Sequence, residues 1–129
     1  MKLLMYYDGK DYMAKTLDAV KTRAKALKAK VHVLSSHSNP DGLSADTVCE
    51  MENGLHYVKS ALESENIPCD THILVVGRTP DEDIIDVANE YQVDEIIIGT
   101  DRVLKAGKSK TGRLINCVNR RARCPVLIV

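Results

Sequence analysis

Apolar residues in this chain fall in short unbroken runs that alternate with stretches where they recur every three or four positions. Residues 2–7 are apolar after Lys2, and Asp8-Gly9 ends the run. A short continuous run of this kind predicts a strand covered on both faces. From Asp11 the period changes: Met13, Leu17, Val20, Ala24 and Leu27 fall at helical spacing, with Lys15, Lys21, Lys25 and Lys28 opposite them. Val31-His32-Val33-Leu34 predicts a second strand, and the polar stretch from Ser35 through His37 to Gly42 predicts a loop. Residues 46–66 predict a second helix with Val48, Met51, Leu55, Val58 and Leu62 inward and Gly54 as its weak point. After Pro68, residues 71–76 predict a third strand. Thr79 suits an N-cap, Pro80 the first helical position, and Asp81, Glu82 and Asp83 the positive end of the helix dipole. Ile84, Ile85, Val87, Ala88 and Tyr91 supply the apolar face of that third helix. Residues 94–98 predict a fourth strand stopped at Gly99, residues 112–122 a fourth helix, and residues 125–129 a fifth strand.

Strand and helix alternate throughout, which predicts one α/β domain over residues 1–129: a largely parallel sheet with helices on both faces. In such sheets a ligand binds in the crevice beyond the strand C-termini, at the topological switch point. The residues that reach it are those that follow strands: Asp8 and Gly9, Ser35 and Ser36, Gly77 and Arg78, and the loop that begins at Gly99.

Composition narrows the picture. Phe and Trp are absent and the only aromatics are five Tyr, so the core is built from Val, Ile, Leu, Ala and Met. The 18 basic and 18 acidic residues cancel, which argues against a general nucleic-acid or membrane-surface binder. They are not evenly spread. Residues 10–30 hold seven basic and two acidic residues, residues 31–98 hold 14 acidic residues against Lys59 and Arg78, and residues 102–123 hold eight basic residues and no acidic one. No apolar run has the ~18 residues of a membrane span, and the N-terminus has no signal-peptide pattern, so a cytoplasmic protein is expected. Cys49, Cys69, Cys117 and Cys124 form no C-x-x-C pair, which predicts reduced and mostly buried thiols. Cys69 and His72, three apart on a strand, point to opposite faces and argue against zinc.

The loop from Gly99 to Leu114 carries the most chemistry. It follows a strand and ends at a helix N-terminus, where unpaired backbone N–H groups and a partial positive charge suit phosphate. Lys105, Lys108, Lys110 and Arg113 add cations. Gly107-Lys108-Ser109 ends like a Walker A loop, but Arg102 stands at its first glycine position, and no G-x-G-x-x-G occurs in the chain.

The strand followed by Asp8-Gly9, the run Val93-Asp94-Glu95-Ile96-Ile97-Ile98-Gly99-Thr100 and the terminal Cys124-Pro125-Val126-Leu127-Ile128-Val129 together resemble the universal stress protein (UspA-like) family over essentially the whole chain. The resemblance implies an open five-stranded parallel sheet in order 3-2-1-4-5, a Rossmann-like, nucleotide-binding alpha hydrolase-like fold. It also implies an ATP site, possible with Mg2+, at a G-x2-G-x9-G-S/T loop in many members, while others lack the motif and do not bind ATP. Gly99 and Gly112 match that loop with its thirteen-residue separation; Arg102 and Arg113 stand at the second Gly and the Ser/Thr positions. Arg resists the positive φ and close phosphate approach that Gly allows, yet two guanidiniums can themselves grip a polyphosphate. The resemblance further implies that Asp8 lies beside an adenine and ribose pocket, with Ser35 and Ser36 along the adenine edge. The expected nucleotide contacts are therefore Asp8, Gly9, Ser36, Gly99, Arg102, Gly112, Arg113 and Leu114.

Catalytic patterns are weak. The chain lacks a G-x-S-x-G elbow, a receiver-type Asp at the end of strand three, and an Asp-x-Asp after strand one. His37 and Arg78 read as solvated loop residues. The last strand is apolar and ends the chain, and an exposed apolar edge invites pairing; antiparallel pairing of Val126, Leu127, Ile128 and Val129 would give a homodimer, the mode the resemblance also implies. The reading is a cytoplasmic, homodimeric, ATP-responsive stress-signalling module without turnover, metal-free apart from nucleotide-borne Mg2+. Two alternatives are a non-nucleotide-binding dimeric interaction protein of the same fold and an enzyme acting on a small phosphorylated substrate.

Overall fold

A computed structural model of the chain describes residues 1–7, 13–36, 44–74, 79–99 and 110–129. The elements alternate as β1 (Lys2–Tyr6), α1 (Met13–Leu27), β2 (Lys30–Ser36), α2 (Ala45–Glu63), β3 (Cys69–Leu74), α3 (Pro80–Tyr91), β4 (Glu95–Ile98), α4 (Lys110–Arg121) and β5 (Val126–Ile128). The five strands form one parallel sheet in the order β3-β2-β1-β4-β5. The expected α/β architecture and strand order are both found.

The unbroken apolar runs become strands because both faces of the sheet are covered. Leu3, Met5, Val31, Val33 and Ile97 point to the layer of α1 and α2, where Leu17, Val20, Leu55, Val58 and Leu62 meet them. Leu4, Tyr6, Leu34, Ile96 and Ile98 point the other way, onto Ile84, Ile85, Val87 and Ala88 of α3 and Val118 of α4. Cys69 lies in the first layer and His72 stacks with side chains of the second, as the strand alternation requires.

Several boundaries differ from expectation, each for a local reason. α2 ends at Glu63, not at residue 66, because Asn66 takes φ 62°, the left-handed conformation that Asn tolerates. The resulting turn sends the Ile67 N–H back to the Leu62 carbonyl at 3.1 Å and buries the Ile67 side chain. β3 begins two residues early, at Cys69, where Val31 of β2 offers a partner; residues 75–76 of the expected strand lie outside the described residues. Val48 and Met51 are only half-buried on α2. Thr79 is the N-cap of α3 with Pro80 at N1, but its hydroxyl bonds the Glu82 carboxylate at 3.0 Å and leaves the cap unfilled. The thiols are less buried than expected: all four cysteines are free, Cys69 is buried, Cys117 and Cys124 are half-buried, and Cys49 is exposed on α2. Burial in the first apolar layer pushes the Cys69 thiol up to about 11.

The charge blocks of the sequence become a spatial pattern. α2 carries Asp46, Glu50, Glu52 and Glu63, and α3 carries Asp81, Glu82, Asp83, Asp86 and Glu90; α1 carries Lys15, Lys21, Arg23 and Lys25, and α4 Lys110, Arg113, Arg120 and Arg121. α2 packs on β3, α1 on β4 and α4 on β5. α3 lies over β2 and β1 beside α4, so the acidic helices lie toward the β3 half of the sheet and the basic helices toward its β5 half. Where the sets meet they pair. Arg23 grips Glu95, the buried first residue of β4, through Nε and a terminal guanidinium nitrogen at 2.5 and 2.6 Å, and Lys21 and Lys25 both bond Glu65 in the turn after α2.

Candidate functional site

Connections leave β1 toward α1 and β4 toward α4, so the strand order reverses between β1 and β4. That gap is the switch point where ligands enter such sheets. Tyr6 pairs with Ile98 at its rim. Tyr7 and Gly99 are the next residues on either side. Gly99 is buried, and the Tyr7 N–H donates to the Leu34 carbonyl at 2.8 Å, so β1 keeps its grip on β2 to the edge of the crevice. The Tyr7 side chain lies directly against Gly54 of α2: a Cβ built on Gly54 would sit 2.7 Å from two carbons of the Tyr7 ring. The weak point of that helix is the seat of an aromatic ring.

Ser36, the last residue of β2, is tied down just as firmly. Its hydroxyl donates to Asp83 Oδ2 at 2.5 Å, the length of a charge-assisted O–H···O bond. Asp83 is 1% exposed, and a buried carboxylate at that depth needs such partners. The bond joins the end of β2 to the first turn of α3 and spends the only proton of the Ser36 hydroxyl. Toward the crevice, Ser36 therefore offers lone pairs and no donor. Sequence reasoning treated Asp83 as one of three dipole-facing acids. The signal that would have singled it out is its spacing: residues 83, 84, 87, 88 and 91 form one inward stripe.

The basic half of the expected site is partly in view. α4 starts at Lys110, two residues before the expected start. The unpaired N–H groups of a helix start number four and therefore end at Gly112, while the N–H groups of Arg113 and Leu114 enter the helical ladder. Of the three expected contacts on this helix, Gly112 is therefore the one whose backbone N–H stays outside the ladder. Arg113 is exposed, and Leu114 packs its side chain on the second core layer. Asp8, Gly9 and Arg102 lie outside the described residues, as do His37, Arg78, Lys105 and Lys108. Of the expected contacts, the structure brings Ser36 and Gly99 to the crevice rim and Arg113 to the first turns of α4.

Among the described residues no group of three or more His, Cys, Asp or Glu forms a metal site, and no helix is long and apolar enough to cross a membrane. A groove of about 250 Å3 between α3 and α4, lined by Ile85, Ala88, Gln92, Val93, Ala122 and Cys124, opens at the opposite edge of the sheet, where the strands begin.

Comparisons with known proteins agree with this geometry. The sequence model of the universal stress protein family matches residues 1–129. A universal stress protein from Archaeoglobus fulgidus is 26% identical over 99% of this chain and 97% of its own, with a TM-score of 0.85. A structure of the universal stress protein from Archaeoglobus fulgidus in complex with dAMP is 24% identical over 99% of this chain and 96% of that one, with a TM-score of 0.81. An Arabidopsis thaliana universal stress protein family member with AMP bound is 14% identical over 100% of this chain and 90% of its own, with a TM-score of 0.70. No curated protein sequence matches the chain.

Proposed function

This chain belongs to the universal stress protein family, and from that premise we propose that it is a cytoplasmic module that binds an adenine nucleotide, ATP with Mg2+ included, beyond β1 and β4 and signals through that binding without turnover. The observation that carries the reading is the strand order, which opens the switch-point crevice between Tyr7 and Gly99 and points the start of α4 from the same edge. The dAMP and AMP held by two similar structures support an adenine nucleotide as the ligand class. The base and ribose lie against Asp8, Gly9 and Ser36. The phosphates lie against the Gly99 loop, the first turn of α4 that ends at Gly112, and the guanidiniums of Arg102 and Arg113. A guanidinium is always charged and can bond phosphate through two N–H groups at once, so it takes over the work that a glycine backbone does elsewhere.

Titration calorimetry with ATP, with and without magnesium, tests this. Saturable heat at micromolar to millimolar nucleotide is expected, and no heat at millimolar nucleotide removes the proposal. Arg102→Gly combined with Arg113→Ser is expected to weaken binding by about tenfold or more, since hydrogen bonds to charged groups contribute about 1.5–3 kcal/mol each. The second reading, a non-nucleotide interaction protein, is favoured by those same two residues and predicts the reverse: the double substitution creates or strengthens ATP binding.

We also propose that β5 pairs with its copy in a homodimer. Val126, Leu127 and Val129 rest on the core layers, while Ile128, on the same face as Val126, is 37% exposed on this edge strand. Sedimentation velocity is expected to find a dimer for the native chain and a monomer for Ile128→Lys, whose charge on an edge strand blocks pairing. A dimer that survives the substitution rules out this edge as the interface.

A further inference from the structure

The second core layer contains a feature foreign to an aliphatic interior. His32, 2% exposed on β2, places Nδ1 3.0 Å from Nε2 of His72 on β3, and its own Nε2 is buried with no hydrogen-bond partner among the described residues. Tyr91, the last residue of α3, stacks on His32 with ring centroids 4.5 Å apart and meets His72 tilted by 36° with centroids 4.8 Å apart. The cluster thus joins an interior strand, the edge strand and the end of a helix, at the opposite edge of the sheet from the crevice.

Counting protons on its four ring nitrogens shows what this arrangement permits. The 3.0 Å gap holds one proton. A neutral pair has two, so one lies in the gap and the other on an outer nitrogen. The better placement has His32 donating through Nδ1–H, which leaves Nε2 as a bare acceptor; the reverse buries an N–H with nothing to receive it, the costlier orphan. Adding a third proton while keeping the bond puts one on both outer nitrogens, so Nε2 of His32 becomes a buried donor without an acceptor. A fourth points two N–H groups at each other. Every protonated state therefore either strands a charged donor in the core or breaks the contact between β2 and β3.

The surrounding charges reinforce this. Lys30 on β2 and Lys2 on β1 oppose a proton on His32, and Asp70 on β3 favours one while paired to Lys30 at 2.6 Å. Glu90 on α3 and Asp70 favour a proton on His72. Asp94, just before β4, accepts the Lys2 backbone N–H at 2.8 Å, and Lys2 Nζ donates to the Tyr91 carbonyl at 3.1 Å. Burial outweighs the acids: it is the largest influence on both rings and holds both below the ordinary imidazole range.

We propose that the His32–His72 pair is an acid-operated release, a contact that holds β3 and the end of α3 to β2 only while both imidazoles are neutral. The folded form refuses protons that the opened chain accepts. The contribution of the pair to stability is therefore complete above the ordinary imidazole pKa of about 6.5 and is lost as pH falls below it toward the depressed folded values. Acid opens the β3 edge first, leaving the crevice at the other end of the strands to respond second.

The test uses the full chain in urea titrations from pH 7.5 to 5.0, with 15N spectra of the imidazoles. The midpoint of the native protein is expected to fall with a slope matching about two more protons bound on unfolding than the pair binds when folded. His72→Gln, which sits half-buried on an edge strand and keeps an acceptor for His32, is expected to lower that count by about one. His32→Leu with His72→Leu lowers it by about two. At neutral pH the 15N spectrum is expected to show His32 as the Nδ1–H tautomer, which a merely space-filling ring has no reason to adopt. Equal slopes in native and His72→Gln proteins overturn the proposal, as does a His32 that titrates near 6.5 within the folded protein.

Discussion

Leu4→Ala is expected to lower the free energy of unfolding by about 3–4 kcal/mol, the cost of a large-to-small change in a core that cannot close around the void. Leu4 is 0% exposed on β1, the central strand, in register with His32 on one side and Ile96 on the other. Its neighbours are strand residues fixed by two hydrogen-bonded ladders and the branched side chains Ile84 and Ile96. Without Phe or Trp to swing into the space, the layer has few ways to refill it. The same change at Leu127, half-buried on the three-residue edge strand β5, is expected to cost about 1 kcal/mol or less. Urea denaturation of both variants checks the contrast; equal losses would contradict a core organised around β1.

Gly54→Ala should reverse a general rule. In a helix interior this change ordinarily stabilises by about 1 kcal/mol, because alanine loses less backbone entropy. Here the added methyl falls 2.7 Å from the Tyr7 ring, and that ring packs against the first core layer. Overpacking of this kind costs about 1–3 kcal/mol, so a net loss of about 1–2 kcal/mol is expected. With Tyr7→Ala in place, Gly54→Ala is expected to stabilise by its usual amount. A double-mutant cycle reads the coupling directly, and additive effects would mean the contact is absent.

The periodicities that separate strands from helices were legible along the chain because each element buries one contiguous apolar face. Order within the sheet was legible only through the family resemblance, since nothing in the apolar runs says which strand neighbours which. What escaped sequence reasoning were the pairs. His32 sits inside an apolar run and reads as a strand residue of no special kind. Its partner is 40 positions away, and only the register of β2 against β3 brings the two rings together. Asp83 and Ser36 are 47 positions apart, and Tyr7 and Gly54 also meet only after folding. The end of α2 was misplaced because Asn66 adopts a left-handed turn that helical periodicity does not signal. Ser36 and Gly99 were placed at the rim from strand-end logic alone. The start of α4 lies two residues before the one that periodicity predicts, because Lys110 and Thr111 carry no apolar side chain to mark the first turn.

The division of charge across the sheet gives the molecule an electric moment perpendicular to its strands. Its positive end is the β5 side, with α1 and α4. An anion drifting toward the protein is drawn to the half that holds the start of α4 before any specific contact forms. A second copy feels the same field differently. In the β5-paired dimer proposed above, two cationic α4 helices would lie beside one another, so salt is expected to strengthen that pairing by screening and to weaken any association between opposite edges.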